Sequence, residues 1–204
     1  MPDYGNPLYW QERYAYDPNA SFDWYVTYEE LKPILLACGA LPNRNTTTTN
    51  TNNKNDDDDD FEIFIPGCGN STLPARLHAD GYPNISCVDI SSVVITQLSN
   101  RYNYCTEMDF SILDITDMPK NDPPDNCFDL IIDKALMDSL LCSDDAIRKV
   151  TIMIRNMYRI LKSGGTYIVI SHGTPISRLG LFTPPGINWV PNVVQLGKYL
   201  EFID

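Results

Sequence analysis

The sequence predicts an α/β domain built on a doubly wound, mainly parallel sheet with helices on both faces. Two observations indicate this fold. Short apolar runs, typical of strands that are buried on both faces, recur after residue 60. Helical stretches separate most of these runs, and such alternation is typical of βαβ units. The chain of 204 residues is long enough for one such domain. The runs are FEIFI (61–65), ISCVDI (85–90), DFSIL (109–113), FDLIID (128–133) and TYIVIS (166–171).

The first forty residues precede the sheet and predict two helices. In the first, over 7–14, Trp10 and Tyr14 are four residues apart and lie on one face. The second runs over 27–38 and is opened by a capping box that begins at Thr27. We therefore expect a helical segment before the first strand.

Residues 43–60 differ from the rest of the chain. They comprise six Asn, five Thr, five Asp, one Arg and one Lys, with no apolar residue. Such a segment cannot bury enough surface to repay its ordering entropy, so we expect a disordered surface loop. A tolerated insertion between two elements is the simpler interpretation, because long loops cost little extra to close. A role in binding a partner is the alternative.

Two further helices are predicted between the later strands. One covers 92–103, and the clearer one covers 144–162, with Ser143 as its cap and Gly164 and Gly165 at its end. Apolar residues of the second helix repeat at spacings of three and four, as expected of a helix packed on a sheet. They are Ile147, Val150, Ile154, Met157 and Leu161.

The overall composition limits the partners. Lys and Arg number 15 against 27 Asp and Glu, so the formal net charge is −12. Phosphate backbones and anionic membrane surfaces both require clustered basic residues, which disfavours nucleic-acid and membrane binding. A basic protein partner remains compatible with this charge.

The termini and cysteines indicate the compartment. The first residues have neither a basic nor an apolar signal-peptide region, and no run of about 18 apolar residues predicts a membrane span. Six widely spaced cysteines, without a CxxC motif and with only two histidines, are typical of reduced thiols. We therefore expect a cytoplasmic protein without a metal site.

A ligand site is predicted where the first strand turns into its helix, because open parallel sheets bind ligands at the carboxyl ends of their strands. That turn is Pro66-Gly-Cys-Gly-Asn-Ser71, in which Gly67 and Gly69 let the backbone approach a ligand closely. Asp89 ends the next strand, 22 residues after Gly67. A carboxylate there is placed to accept hydrogen bonds from the ribose hydroxyls of a nucleoside.

The choice of nucleoside depends on two further positions. Thr72 stands where the dinucleotide fingerprint requires a third small residue. Asp114 and Ile115 follow the third strand, and they could bind an adenine through its amino group and its ring. These features fit S-adenosylmethionine better than NAD. The alternative is that Asp89 and Asp114 are solvated turn residues.

Together with the N-terminal segment, these motifs resemble a known family. The chain is similar to the class I (seven-β-strand) methyltransferases that modify lysines of eukaryotic elongation factor 1-alpha, including the methyltransferase-like branch close to citrate synthase lysine methyltransferase. The resemblance covers nearly the whole chain outside 43–60. It rests on YWQERY (9–14), FDW (22–24), GCGNS (67–71), DISSVV (89–94), DK (133–134) and MDSL (137–140).

The resemblance implies a single methyltransferase domain over 1–204. Residues 1–40 would form a helical cap over the cofactor, and 61–204 a Rossmann-like core with a seven-stranded sheet. Its last strands would be a closing antiparallel pair formed by 187–189 and 199–203.

The resemblance also assigns roles in binding S-adenosylmethionine. Three aromatic side chains would close over the cofactor, glycines would lie against its amino-acid portion, and other residues would hold the ribose, the adenine and the remaining side. The alternative for the aromatic pair of the first helix is simple packing. The aromatic residues are Trp10, Tyr14 and Trp24, and the glycines are Gly67 and Gly69. Asp89 and Ile90 would hold the ribose, Asp114 and Ile115 the adenine, and Lys134 the remaining side.

The implied reaction is in-line methyl transfer to a neutral lysine amine, and it requires a group that orients the amine. Asp133 is the first candidate and Asp138 the second, although Asp138 could instead cap a helix or pair with Lys134. Ala135 and Leu136 stand where many relatives resemble Gly-Thr. We expect this departure from the family pattern to alter the substrate side of the pocket.

The predicted function is therefore a protein-lysine N-methyltransferase acting on elongation factor 1-alpha. One alternative is the same chemistry on another protein or a small molecule. A second is a cofactor-binding pseudoenzyme that serves as an interaction module. An NAD-linked oxidoreductase is the least favoured, because Thr72 breaks the fingerprint.

Overall fold

A computed structural model describes residues 2–44 and 60–196, and these ranges contain seven helices and five strands. The predicted loop at 43–60 lies almost entirely outside the described residues. The helices are α1 (Pro7–Tyr16), α2 (Tyr28–Ala37), α3 (Leu73–Ala79), α4 (Ser92–Arg101), α5 (Leu136–Leu140), α6 (Ala146–Ile160) and α7 (Pro175–Leu179). The strands are β1 (Ile63–Pro66), β2 (Ile85–Asp89), β3 (Met108–Ile112), β4 (Phe128–Lys134) and β5 (Leu161–Ile170).

The five strands form one parallel sheet in the order β3-β2-β1-β4-β5. The chain therefore moves outward from β1 to β3 and then returns to the other side of β1 at β4. This reversal creates a crevice between β1 and β4 at their carboxyl ends, which is where ligands bind in such folds. The predicted parallel α/β architecture is confirmed.

Seven strands and an antiparallel closing strand are not confirmed. Residues 187–189, predicted as a strand, have irregular backbone. Trp189 instead packs on Tyr158, Tyr167 and Phe182, and its indole nitrogen donates a hydrogen bond to the Phe182 carbonyl. The predicted partner segment, 199–203, lies outside the described residues.

Helices cover both faces of the sheet through two separate apolar cores. On one face α2, α3 and α4 pack on alternate strand residues, and on the other face α5 and α6 pack on the residues between them. The first core includes Leu31, Leu35, Ile63, Ile65, Leu73, Leu77, Ile85, Val94, Leu98 and Ile132. The second includes Phe64, Val88, Phe128, Ile131, Met137, Val150, Met153, Ile154, Met157 and Ile160.

The boundary between α6 and β5 differs from the prediction. The helix ends at Ile160, and Leu161 already pairs with Phe128 in the sheet. Gly164, with a φ of +84°, lies within β5 beside a register shift rather than at a helix end. Ile147 was expected in the core but is 61% exposed in the first turn of α6. Ser143 does not cap α6, because its hydroxyl donates to the Leu140 carbonyl.

The N-terminal segment agrees with the sequence patterns. Thr27 and Glu30 form the predicted capping box of α2, and α1 contacts α4. None of the six cysteines, all of which lie in the described ranges, forms a disulfide. Over 2–44 and 60–196, no helix is both long and apolar enough to cross a bilayer, and no group of potential metal ligands clusters.

Candidate functional site

A cavity opens at the carboxyl ends of β1, β2 and β4, beneath the N-terminal segment. It is bordered by the turn after β1, by the ends of β2 and β4, and by the first turns of α1 and α5. Ten of the twelve predicted site residues line it. They are Trp10, Tyr14, Trp24, Gly67, Gly69, Asp89, Ile90, Asp114, Ile115 and Lys134.

The glycines of the first turn keep the cavity open. Gly67 and Gly69 have φ values of +60° and +52°, which side chains rarely adopt. A Cβ at Gly67 would come within 2.9 Å of the Leu136 side chain, and one at Gly69 within 2.8 Å of the Tyr14 hydroxyl. Both positions therefore require glycine for conformation and for space.

Asp89 places a buried carboxylate in the cavity wall. It is only 7% exposed, and its two oxygens accept hydrogen bonds from the Gly69 and Ser91 amides, each at 2.9 Å. Burial raises the pKa of Asp89, while these amide hydrogen bonds oppose the rise. Each carboxylate oxygen has further lone pairs, so the group can still accept hydrogen bonds from ligand hydroxyls.

Aromatic rings form the N-terminal wall. Trp10 stacks on Tyr14 with ring centroids 5.9 Å apart and meets Trp24 edge-on at 6.3 Å. The Trp10 indole nitrogen donates to the Tyr4 carbonyl at 2.8 Å. Burial raises the pKa of Tyr14, so its hydroxyl remains protonated. Such a wall can attract a cation through the ring faces.

Asp114 and Ile115 border the side of the cavity next to β3. Asp114 Oδ1 accepts hydrogen bonds from the Thr116 amide at 2.8 Å and the Thr116 hydroxyl at 2.7 Å. Ile115 is buried and also packs in the second core. This turn geometry fixes one carboxylate oxygen and places an apolar side chain beside it.

Lys134 ends β4 at the cavity, where its ammonium lies 2.9 Å from Asp23 Oδ1. Asp23 also accepts hydrogen bonds from the hydroxyls of Ser71 and Thr72. Burial alone would raise the pKa of Asp23, but its bonds to Lys134 and the two hydroxyls outweigh burial and hold that pKa below its ordinary value. Sequence reasoning quoted Asp23 within the FDW motif but assigned it no role.

Asp133 lies beneath the cavity rather than in its wall. Its side chain is 0% exposed, and it accepts hydrogen bonds from the amides of Leu136 and Met137 and from the Tyr167 hydroxyl. Burial raises the pKa of Asp133 to about 7. The contacts anchor the start of α5, and a role in orienting an amine stays a prediction.

Asp138 does not line the cavity either, but it lies on α5 directly beside it. It pairs with Arg178 at 2.8 Å, whereas Lys134 pairs with Asp23, so the suggested Asp138–Lys134 pair does not form. Tyr25 and His172 also contact Asp138. Sequence reasoning missed these two residues, because neither belongs to a recognisable motif.

Comparison with known proteins identifies the family. A family model described as a methyltransferase domain matches residues 59–180, more than half of the chain. The chain belongs to this methyltransferase family. It is 30% identical over 172 residues to the eEF1A lysine and N-terminal methyltransferase of Bos taurus and to that of Homo sapiens, with 83% of this chain and 22% of each relative covered.

Two more distant similarities agree with this result. The EEF1A lysine methyltransferase 4 of Mus musculus is 27% identical over 135 residues, which covers 62% of this chain and 52% of that relative. A solved structure from work on the conversion of a disulfide bond into a thioacetal group during echinomycin biosynthesis superposes with a TM-score of 0.56. It is 15% identical and covers 80% of this chain and 60% of that chain, so it supports the fold alone.

The cofactor of this methyltransferase domain is S-adenosylmethionine, and the cavity fits it. The glycine turn leaves space beside the backbone, Asp89 offers carboxylate oxygens for ribose hydroxyls, and aromatic faces suit a sulfonium cation. The chain spans about a fifth of the length of the eEF1A lysine and N-terminal methyltransferases that it matches.

Proposed function

We propose that this domain is a protein-lysine N-methyltransferase that acts on translation elongation factor 1-alpha. The similarity to relatives that carry this activity in their names, over 83% of the chain, is the observation that carries the proposal. The net charge of −12 supports a basic protein substrate, since complementary charge guides encounter. The absence of disulfides among the six cysteines supports action in the cytoplasm.

The described residues divide into binding and support groups in this proposal. Asp89 and Ile90 would hold the ribose, and Asp114 and Ile115 the adenine. The ring wall of Trp10, Tyr14 and Trp24 would cover the sulfonium end, and the Asp23–Lys134 pair would fix the floor beside it. All of these residues except Asp23 line one cavity, so a single ligand can contact them.

S-adenosylmethionine would supply a sulfonium-bound methyl group, and in-line attack by a neutral amine would form the N–C bond as the C–S bond breaks, with S-adenosylhomocysteine as the leaving group. The chain must therefore hold the acceptor amine about 3 Å from the methyl group and keep it unprotonated. Lysine titrates at about 10.4 in water, so the site must lower its pKa or accept its proton. Asp133 on β4 and Asp138 on α5 lie beside the cavity, and in this proposal one of them orients the acceptor amine.

A second candidate acceptor is the N-terminal amine of the same factor. The name of these relatives includes N-terminal methylation, and an α-amine undergoes the same chemistry with a lower pKa, about 7.7–8.0. Methyl transfer to another protein, and cofactor binding without turnover, are the remaining alternatives.

The test is transfer of a labelled methyl group from S-adenosylmethionine to recombinant elongation factor 1-alpha, followed by mapping of the modified residue. We expect label on a lysine with the wild-type protein and none with Asp89→Ala. Label on the N-terminal amine would support the second candidate. Binding of S-adenosylhomocysteine without label on the factor, while a cell lysate shows a different labelled protein, would contradict the proposed substrate.

A further inference from the structure

A cluster of polar side chains beside the cavity contains a carboxylate, an imidazole and a phenol in mutual contact. Asp138 Oδ2 accepts a hydrogen bond from the Tyr25 hydroxyl at 2.9 Å. His172 Nδ1 lies 3.0 Å from Asp138 Oδ2 and 3.0 Å from the Tyr25 oxygen. The His172 backbone amide donates to Asp138 Oδ2 at 3.1 Å. We call Tyr25, Asp138 and His172 the Asp138 triad.

The contacts select one tautomer of His172. Burial opposes ionisation of Asp138, but hydrogen bonds from Ser171, His172, Tyr25 and Arg178 outweigh it and keep the pKa of Asp138 below its ordinary value. An ionised carboxylate only accepts hydrogen bonds. An unprotonated Nδ1 would place its lone pair against this carboxylate at 3.0 Å, which is repulsive. Nδ1 therefore carries a proton, and in the neutral imidazole the lone pair is on Nε2, at the opposite edge of the ring.

The neighbouring charges hold this arrangement in place. Burial raises the pKa of Tyr25, so its hydroxyl remains a donor. Arg178, on α7, donates to Asp138 Oδ1 at 2.8 Å and balances the carboxylate charge from the side away from the imidazole. When Asp133 at the end of β4 is ionised, its charge further raises the pKa of Tyr25. An imidazolium formed at His172 would thus face an ionised carboxylate.

The triad adjoins the cofactor cavity and reaches solvent. Tyr25 follows Trp24, whose ring lines the cavity and lies 6.2 Å from the Tyr25 ring. Asp138 is on α5 between Leu136 and Ser139, which also line the cavity. His172 lies just after β5, two residues beyond Ile170, which pairs with Lys134 in the sheet. Its side chain is 65% exposed, whereas Asp138 is 5% exposed.

We propose that His172 is the base that removes the proton from the acceptor ammonium, with Asp138 as the residue that positions it. This inference rests on the proposed methyl transfer to an amine. In the step, one N–H bond of the ammonium breaks and its electron pair stays on nitrogen, while the proton bonds to Nε2 of His172. The exposed imidazolium then releases that proton to water, and the neutral amine is ready to react.

A pH–rate comparison tests the role. Methyl transfer to elongation factor 1-alpha is measured from about pH 6.5 to about pH 9.5 for the wild type, His172→Gln and His78→Gln. His78→Gln is the matched control, since His78 lies on α3 and does not line the cavity. We expect His172→Gln to lower kcat by about 100-fold near pH 7 with little change in KM. The deficit should shrink toward high pH, where the amine loses its proton unaided.

Two results would overturn the inference. If His172→Gln and His78→Gln methylate at the same rate, His172 is not the base. If His172→Gln loses the same fraction of activity at every pH, its role is structural only. If the wild type labels a lysine and either result is found, the base assignment alone fails. If the wild type binds S-adenosylhomocysteine but labels no lysine, the proposed function fails, and the base assignment fails with it.

A second measurement tests the triad without activity. The chain has two histidines, so His78→Gln leaves His172 as the single imidazole. Nitrogen-15 shifts of that ring at about pH 8 should show the proton on Nδ1. A proton on Nε2 would contradict the assignment directly.

Discussion

Trp10 is held on two sides at the cavity wall. Its indole nitrogen is hydrogen-bonded to the Tyr4 carbonyl, and its ring stacks on Tyr14. The Ser139 hydroxyl donates to the same carbonyl at 2.6 Å and thereby links α5 to the N-terminal segment. At the scale of single residues, this fixed ring has two possible roles. It either only packs against its neighbours, or it also attracts the positive charge of the cofactor.

The two roles predict different ligand selectivity for Trp10→Leu. S-adenosylmethionine carries a sulfonium charge and S-adenosylhomocysteine does not, whereas both have the same adenosine. Loss of a cation–π contact should weaken binding of the charged ligand by about 0.5–2 kcal/mol more, or roughly 2- to 30-fold in relative Kd. Calorimetry with both ligands measures this ratio. Trp189→Leu, away from the cavity, is the control, and an equal loss for both ligands would favour packing.

The turn from β4 into α5 concentrates two unusual features at the scale of one element. Asp133 is fully buried and caps α5 through the Leu136 and Met137 amides. Ala135, between them, has a φ of +79°, a left-handed conformation that costs a non-glycine residue about 1–2 kcal/mol. This turn brings Lys134 and Leu136 to the cavity, so its geometry shapes that part of the cavity wall.

The pKa of Asp133 gives a signed prediction for stability. The folded chain holds this proton up to about pH 7, whereas an unfolded aspartate loses it at about pH 3.9. The resulting stability is therefore fully present below about pH 3.9 and is lost as the pH rises to 7. Asp133→Asn keeps an acceptor for the two amides but cannot ionise. The free energy of unfolding of Asp133→Asn, relative to that of the wild type, should rise by a few kcal/mol between about pH 4 and pH 8. This magnitude follows from about 1.36 kcal/mol for each unit of pKa shift.

Urea unfolding of both proteins at several pH values measures this difference, and contributions from unchanged groups cancel. If the difference in unfolding free energy between the two proteins is the same at every pH, burial does not raise the pKa of Asp133. Methyl transfer by Asp133→Asn addresses the predicted role in orienting an amine, because a group used only to cap α5 leaves kcat nearly unchanged once the variant is folded.

Ala135→Gly should stabilise the domain. Glycine adopts the left-handed conformation without a Cβ clash, but it adds about 0.4–1 kcal/mol of chain entropy to the unfolded state. The expected net gain in the free energy of unfolding is about 0.5–1 kcal/mol, measured by urea denaturation. Ala75→Gly, inside α3, is the matched control and should destabilise by about 0.5–1 kcal/mol. A loss at Ala135 as large as at Ala75 would contradict the strain.

At the scale of the whole molecule, the features that could be predicted have local signals. Apolar runs marked the strands of the sheet, and the carboxyl-end rule placed Gly67 and Asp89 at one cavity. Other features depend on residues far apart in the chain. Lys134 pairs with Asp23 across 111 positions, and Tyr25 meets Asp138 across 113, so no local spacing encodes either contact.

The errors of the sequence prediction have a similar origin. Ile147 follows the helical period of α6 but lies exposed in the first turn of that helix, so periodicity overestimated its burial. Gly164 and Gly165 were interpreted as a helix end, yet pairing with β4 draws Leu161 and its successors into β5. Tertiary pairing thus decided both cases against the local pattern.

The central claim is that the cavity at the carboxyl ends of the strands binds S-adenosylmethionine through Asp89. Calorimetric titration with S-adenosylhomocysteine tests it most directly, with wild type, Asp89→Asn and Asp109→Asn compared. Asp109 is an exposed aspartate on β3 and serves as the matched control. We predict saturable one-to-one binding by the wild type and by Asp109→Asn, and a Kd at least about 10-fold weaker for Asp89→Asn, as expected for a lost charged hydrogen-bond acceptor. No binding by the folded wild type, or equal affinity in all three proteins, would contradict the claim.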